Sequence, residues 1–113
     1  MFTDQVISPT FVDDLAPAIS KLIKEDKRGI FHLASPRQTT PYDFAKYLIR
    51  IFFSKIPKIG KTKLAELLKR KNTTPRPIMG GMIVDKIAKT GFTPTDWEKG
   101  IKKIYTQSKG KLI

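Results

Sequence analysis

The side chains that commonly carry chemistry are few in this sequence, and their spacing suits neither a metal site nor a nucleotide cofactor. There is one histidine, His32, and no cysteine, so a metal site would depend on carboxylates. Asp13 and Asp14 are adjacent at a predicted helix start, which points them to different sides. His32 lies in an apolar stretch and is interpreted as a hydrogen-bonded core histidine. Gly80 and Gly81 form an isolated pair, and no G-x-G-x-x-G or Walker pattern occurs.

Charge and composition narrow the class of protein. The 113 residues include 22 basic and 10 acidic side chains, for a net charge of +12, so the surface should attract anions of any kind. The absence of cysteine gives no reason to expect an oxidising compartment. The longest apolar run, residues 47–56, is interrupted by Arg50 and Lys55 and is far shorter than the roughly 20 residues of a membrane crossing. With no signal-peptide pattern, we expect one domain, a cytoplasmic location and no membrane partner.

A helix should follow the Ser-Pro-Thr corner at residues 8–10. Thr10 can cap it, with Asp13 at the third position of a capping box. Pro17 must either kink this helix or lie in its first turn with Asp14 as the true cap, because an interior proline costs roughly 3 kcal/mol. Gly29 suits the turn that follows. Apolar residues recur at helical spacing at Phe11, Leu15, Ile19, Leu22 and Ile23.

Two more helices are predicted from their first turns. Thr40 caps the first, with Pro41 at the first helical position and Asp43 at the third, and Pro57 ends it. Thr95 and Glu98 have the spacing of a capping box for the second. The predicted buried faces consist of Phe44, Leu48, Ile51 and Phe52 in the first helix, and Trp97, Ile101, Ile104 and Tyr105 in the second.

The remaining segments are shorter. Residues 61–71 predict a short basic helix on Leu64, Leu67 and Leu68, residues 72–81 a loop, and residues 82–88 a short helix closed by Gly91. Residues 105–113 are expected to form a frayed basic tail.

The stretch GIFHLAS, residues 29–35, predicts a buried strand. A buried strand needs neighbours, because its backbone donors and acceptors would otherwise lack partners. Either two distant strands pair within this chain, or this strand completes a sheet supplied by other residues.

Four stretches, in this order, resemble one family. They are DQVISPTFVDDLAPAI at residues 4–19, GIFHLASP at 29–36, TTPYDFAKYL at 39–48, and TPRPIMGGMIVDKIAKTGFTPTDWEKGI at 74–101. Together they resemble the C-terminal part of dTDP-4-dehydrorhamnose reductases, which are extended short-chain dehydrogenase/reductases. The resemblance covers residues 4–104, and we treat residues 1–113 as a single partial domain, the substrate-binding lobe.

The resemblance implies an α/β fold class: a mostly helical C-terminal lobe with one or two short strands and about four to five helices, without its Rossmann core. It implies that Gln5, Ser8, Pro9 and Thr10 form a corner at the floor of a nucleotide-sugar cleft. Arg76 is the candidate for a diphosphate contact, because a guanidinium can hold a diphosphate through paired hydrogen bonds. No catalytic or cofactor-binding residue is assigned to this chain. The complete enzyme would use NAD(P)H bound to a Rossmann segment or chain.

The sequence departs from the family pattern at two places. Ile7 precedes Ser8 where relatives often have glycine, and Ile78, Met79 and Gly80 stand where polar residues are common. Two Tyr-x-x-x-Lys matches, at residues 42–46 and 105–109, have the spacing of the catalytic pair of short-chain dehydrogenases. Because lysine is abundant here, such matches arise by chance, and both are interpreted as accidental.

Two other functions stay open. One is a non-catalytic regulatory or scaffolding protein of the same fold, like the regulatory subunit of methionine adenosyltransferase. The other, less favoured, is a small nucleic-acid binder using the basic segments 61–71 and 99–105. A homo-oligomer is also compatible with the sequence.

Overall fold

The computed structural model describes residues 1–56 and 58–112, and helices dominate these ranges. A single 3₁₀ turn at Val12–Asp14 precedes the first α-helix. The α-helices are α1 (Leu15–Lys24), α2 (Pro41–Phe53), α3 (Leu64–Leu67), α4 (Asp85–Ala88) and α5 (Trp97–Gln107). The prediction of a mostly helical lobe with four to five helices is therefore confirmed. None of the helices in these ranges has the length and apolar character needed to cross a membrane.

Extended pairing is confined to isolated bridges in the described residues. Phe2 pairs with Thr62 and Val6 with Met79 in parallel, while Ile7 pairs with Thr39 in antiparallel orientation. Because each bridge joins single residues, the lobe has no sheet of its own in these ranges.

The predicted strand at residues 29–35 does not pair with another strand of the described residues, so the first of its two alternatives is wrong. The chain bends at Gly29 and Ala34, and the N–H groups of residues 29–34 donate to no acceptor among the described residues. A strand exists only through a ladder of hydrogen bonds, and none is formed here. His32 is exposed, so its interpretation as a core histidine is also wrong.

The helix after the corner begins later than capping by Thr10 would require, and the second predicted option, with Asp14 as the cap, is confirmed. Thr10 is not a cap: its hydroxyl donates to the carbonyl of Leu33 at 3.0 Å. Asp14 is the N-cap residue of α1, and Pro17 is the third residue of the helix. N–H groups of a first turn have no helical acceptor, so proline is accommodated there without a kink.

The start of α2 follows the prediction, whereas that of α5 does not. The Thr40 hydroxyl accepts from the N–H of Asp43 at 3.1 Å. Helix α5 is instead capped by Asp96, which accepts from the N–H of Glu98 at 3.2 Å. Thr95 does not cap α5, because its N–H and hydroxyl donate to the two carboxylate oxygens of Asp14, at 2.6 and 2.7 Å. This pair ties the start of α1 to the start of α5.

Helices α2 and α5 pack through aromatic side chains. The Trp97 ring lies 5.9 Å from that of Phe44 and 5.4 Å from that of Tyr47, and Phe52 meets Tyr105 edge-on at 5.3 Å. Ile101 is buried, as predicted, but Ile104 and Tyr105 are each 41 % exposed. The end of α2 lies at Phe53, where Ser54 takes a left-handed conformation with φ 50°. Pro57, predicted to end the helix, lies outside the described residues.

A second cluster of buried side chains joins α1, α4 and residues 31–34. Ala18, Ala34, Val84 and Ile87 are buried there. Leu22, Phe31, Leu33 and Phe92 pack against them. Phe31 and Leu33 thus pack on the same cluster that contains Ala34, whereas Ile30 and His32 are exposed.

The two short helices depend on contacts from outside themselves. Leu64 in α3 is fully buried, and the carboxylate of Asp4 accepts from the N–H groups of Leu64 and Ala65 at 2.6 and 3.0 Å. Helix α4 starts at Asp85, three residues later than predicted, and Gly91 follows it with φ 92°. This positive φ fits the predicted helix closure.

Candidate functional site

The corner predicted to bind substrate is hydrogen-bonded to the loop that follows Arg76. The N–H of Val6 donates to the carbonyl of Ile78 at 2.7 Å, and the N–H of Gly80 returns a bond to the carbonyl of Val6 at 3.0 Å. The Ser8 hydroxyl accepts from the N–H of Met82 at 2.8 Å. Residues 6–8 and 78–82 therefore form one unit, which we call the corner–loop unit.

The opposite side of the corner is bound to the segment that connects to α2. Ile7 and Thr39 exchange two backbone hydrogen bonds, of 2.8 and 2.9 Å. The carbonyl of Pro9 accepts from the N–H of Ser35 at 2.7 Å, next to the bond from Thr10 to Leu33. The corner is thus held between two distant parts of the sequence, which fixes its backbone.

The predicted site residues have different positions in this arrangement. Ser8 joins the loop, whereas the hydrogen bonds of Pro9 and Thr10 are directed to residues 33–35. Gln5 is half-buried, and its side chain has no hydrogen bond to another described residue. Arg76 is exposed two residues before Ile78, and no carboxylate of the described residues lies within 4.0 Å of its guanidinium. A guanidinium without an internal partner is available to an anion.

Gln38 is a neighbour of the loop that sequence reasoning missed. Its side-chain amide approaches the carbonyl of Met82 at 3.5 Å. A Cβ added to Gly81 would lie only 2.4 Å from Nε2 of Gln38. Glycine at this position therefore lets the Gln38 amide lie directly against the loop backbone.

A cavity of about 340 Å³ opens beside the loop. It is lined by Gln38, Met82, Ile83, Phe92 and Pro94, among others. The lining is mostly apolar with a few polar groups, which is the usual composition of a small-molecule site.

A cluster around Trp97 was also missed by sequence reasoning. Arg37 donates from Nε and one terminal nitrogen to the two carboxylate oxygens of Asp96, each at 2.8 Å, and lies 3.2 Å from the Glu98 carboxylate. The guanidinium carbon lies 5.6 Å from the Trp97 ring centroid. The hydrogen bonds from Arg37 lower the pKa of Asp96, and the same pairing raises the pKa of Arg37. No local spacing could reveal the Arg37–Asp96 pair, because its partners are 59 residues apart.

A groove of about 370 Å³ adjoins this cluster, with Lys46, Tyr47 and Arg50 of α2 on its wall. Neither Lys46 nor Arg50 lies within 4.0 Å of a carboxylate in the described part of the chain. The Trp97 indole nitrogen is buried and has no hydrogen-bond partner among the described residues.

The two adjacent glycines of the loop lie close to neighbouring groups of the protein. A Cβ on Gly80 would lie 3.1 Å from the carbonyl of Val6, and Gly81 is covered by Gln38. The backbone of this pair is thus packed against the Val6 carbonyl and the Gln38 side chain. No group of three or more metal-ligating side chains occurs in residues 1–56 and 58–112.

Comparison with known proteins identifies the family. The family model described as the RmlD substrate binding domain matches residues 1–109. The chain belongs to the RmlD substrate-binding domain family. The resemblance inferred from the four sequence stretches is therefore confirmed. No curated protein sequence matches the chain.

A solved structure shows the same fold as this RmlD-type domain. The crystal structure of dTDP-4-dehydrorhamnose reductase from Bacillus anthracis, in complex with NADP, matches with a TM-score of 0.75 and 24 % sequence identity. The match covers 95 % of this chain and 36 % of the B. anthracis chain. The present chain therefore spans about a third of the length of that reductase.

Proposed function

We propose that this chain is the nucleotide-sugar-binding lobe of an oxidoreductase of the dTDP-4-dehydrorhamnose reductase type. The observation that carries the proposal is the corner–loop unit. Ser8 and Met82, 74 residues apart, are joined by a hydrogen bond of 2.8 Å. The two stretches that the family resemblance associates with substrate are thereby next to each other, as one binding surface requires.

Arg76 is the anion-binding residue in this proposal. It precedes the loop backbone that bonds to Val6, and its guanidinium has no carboxylate partner within 4.0 Å in the described ranges. Paired hydrogen bonds from a guanidinium suit a diphosphate. The net charge of +12 increases the local concentration of such an anion. Ser8 and Gln5 lie along the same short stretch and supply neutral polar groups.

Reduction itself requires residues outside this sequence. Segment 29–35 supports this part of the proposal, because the N–H groups of residues 29–34 have no acceptor among the described residues and need partners in a larger sheet. We infer that a Rossmann part supplies that sheet, the NAD(P)H site and the catalytic tyrosine and lysine. The cofactor would supply hydride for a 4-keto sugar, while the residues here hold and orient the nucleotide sugar. The chain alone should therefore bind without reducing.

The test is a titration of the ¹⁵N-labelled 113-residue chain with thymidine diphosphate, followed by NMR. Amide signals of residues 5–10 and 78–82 should shift, because the corner–loop unit forms the binding surface. Arg76→Ala should weaken the affinity about tenfold, the loss expected from removing one charge-assisted contact.

Arg70→Ala serves as a matched control, since it removes an equal charge from an exposed position outside the corner–loop unit. It should leave the affinity within about twofold of the original. Equal losses for both variants, or shifts confined to other parts of the chain, would show that the diphosphate binds through general charge and would contradict the proposal.

A further inference from the structure

The positive charge of the chain is concentrated in two segments. Residues 44–65 and 99–113 contain 11 of the 22 basic side chains and no acidic one. The other residues of the chain carry 11 basic and 10 acidic side chains, so that part is almost neutral. Nearly all of the net charge of +12 therefore comes from these two segments.

The structure brings the two segments together through helices α2 and α5. The Phe44 ring meets Trp97 near the first turns of the two helices, and the Phe52 ring meets Tyr105 near their last turns. The helices therefore lie side by side and run in the same direction. Their C-terminal ends are neighbours, and both belong to the segments without acidic residues.

The chain that follows α5 stays at this end of the helix pair. The N–H of Gly110 donates to the carbonyl of Tyr105 at 2.9 Å, and a Cβ on Gly110 would lie 3.3 Å from the Tyr105 ring. These contacts keep the residues around Gly110 beside the last turn of α5. We call residues 50–56 and 102–112 together the basic end.

The basic end has six cationic side chains without a carboxylate partner. All six are exposed, and none lies within 4.0 Å of a side-chain carboxylate in the described part of the chain. They are Arg50, Lys55, Lys102, Lys103, Lys109 and Lys111. Because no internal carboxylate neutralises them, this surface attracts an anionic partner.

Large apolar side chains are exposed among these cations. Ile56 is 90 % exposed and Phe53 is 54 % exposed, and Ile104, Tyr105 and Leu112 are exposed as well. Single exposed apolar side chains are normal on a protein surface, whereas a group of them marks an interaction site. The partner of the basic end should therefore offer both negative charge and an apolar environment.

We propose that the basic end binds the surface of an anionic lipid membrane. Lysines are attracted to acidic headgroups, and exposed aromatic and aliphatic side chains insert between headgroups and acyl chains. The chain lies on the membrane without crossing it. The expectation of no membrane partner rested on the short apolar run and the missing signal-peptide pattern, which concern crossing and export rather than binding at a surface.

The composition of the basic end favours a membrane over a nucleic acid. Surfaces that bind single-stranded nucleic acid combine cations with aromatic side chains on which bases stack. Three of the five exposed apolar residues, Ile56, Ile104 and Leu112, are aliphatic and provide no stacking platform. A membrane interface buries aliphatic and aromatic side chains alike, so it accounts for the exposed apolar residues as well as for the cations.

Co-sedimentation of the 113-residue chain with sucrose-loaded vesicles tests the proposal at physiological salt. Vesicles of equal parts phosphatidylglycerol and phosphatidylcholine should bind the chain. Vesicles of phosphatidylcholine alone should bind it at least about tenfold more weakly, because they lack the negative surface potential.

Two charge variants locate the binding surface. Lys109→Gln/Lys111→Gln removes two cations of the basic end and should weaken binding to the anionic vesicles at least about tenfold. Lys69→Gln/Lys71→Gln is the matched control, because it removes the same charge at the same spacing from exposed positions outside the basic end. It should weaken binding by less than about threefold.

Two apolar variants separate insertion from attraction by charge alone. Phe53→Ser/Ile56→Ser keeps every charge and should weaken binding to the anionic vesicles at least about tenfold, because insertion is lost. Ile30→Ser/Ile83→Ser removes two exposed apolar side chains outside the basic end and should leave binding within about twofold. All four variants replace exposed side chains, so each should keep the circular dichroism spectrum of the unmodified chain.

Three results would overturn the proposal. They are equal binding to both kinds of vesicle, equal losses for the two lysine pairs, and unchanged binding of Phe53→Ser/Ile56→Ser. If that last result is accompanied by binding of a single-stranded DNA oligonucleotide that depends on Lys109 and Lys111, the basic end is a nucleic-acid surface instead. No residue of the basic end belongs to the corner–loop unit, so failure here leaves the nucleotide-sugar proposal intact.

Discussion

Arg37 donates two hydrogen bonds, each 2.8 Å long, to the carboxylate of Asp96, and its guanidinium lies over the indole ring of Trp97. The pair connects the turn before α2 to the first residues of α5. Because Asp96 is also the N-cap of α5, one carboxylate both starts a helix and fixes its position.

Replacement of Arg37 by Met should reduce the fall in the unfolding free energy of the lobe that occurs when the pH is lowered into the acid range. The pKa of Asp96 is lowered, chiefly by the hydrogen bonds from Arg37. A lowered pKa stabilises the folded state fully above the ordinary aspartate pKa of about 3.9, and this contribution is lost as the pH falls through the folded-state pKa. The unmodified chain should therefore be more stable than Arg37→Met by a constant unfolding free energy above about pH 5, and this difference should shrink below about pH 4.

Urea unfolding at several pH values measures this difference. Arg28→Met is the control, since Arg28 has only a 3.5 Å contact with Asp26 between two strongly exposed side chains. It should change the unfolding free energy little at any pH. A difference for Arg37→Met that stays constant down to pH 2 would exclude linkage through Asp96.

Replacement of Leu64 by Ala should cost about 3 kcal/mol of unfolding free energy. Leu64 is fully buried, and its one-turn helix is too short to be stable by itself, so the lost packing cannot be recovered locally. Chemical denaturation gives the measurement. Leu112→Ala, at a position 48 % exposed, is the control and should cost less than about 0.5 kcal/mol. Similar costs at both positions would contradict the packing around Leu64.

Removal of the Asp14 carboxylate should destabilise the lobe by about 1.5 kcal/mol, because it accepts two hydrogen bonds from Thr95 that join the starts of α1 and α5. Asp14→Ala tests this by thermal or urea unfolding. Asp13→Ala, which removes a single exposed bond from Gln107, should cost clearly less. A double-mutant cycle with Thr95→Ala should show coupling, and strictly additive losses would argue against the pair.

Replacement of Gly81 by Ala should displace Gln38 and weaken ligand binding at the corner–loop unit. The new Cβ would lie 2.4 Å from the end of the Gln38 side chain, which can move more readily than backbone. We expect a small loss of stability, below about 1 kcal/mol, and shifted amide signals at residues 80–82.

Thymidine diphosphate titrations of Gly81→Ala and Gln38→Ala/Gly81→Ala separate the causes. Shortening Gln38 should restore the loop signals and the affinity, because the steric conflict disappears. If the double variant keeps the shifted signals of the single one, strain in the loop backbone, rather than contact with Gln38, would be responsible.

Local signals in the sequence predicted local structure well. The Thr40–Pro41–Asp43 start of α2 needs only contacts within three residues, and the structure contains it. The same logic proved wrong for Thr10 and Thr95, since Leu33 and Asp14 provide these threonines with partners far away in the sequence. Capping rules describe what a side chain can do, and tertiary contacts decide between such options.

The sequence by itself determined the mostly helical character and the family resemblance, because these depend on residue types, their order and short-range spacing. Only the tertiary structure decided that residues 6–8 bond to residues 78–82, that Arg37 pairs with Asp96, and that residues 29–35 form no strand with other described residues. Hydrogen bonds between residues far apart in the chain depend on where the whole fold places the backbone. A strand, in particular, is a property of two neighbouring segments and cannot be established from one of them.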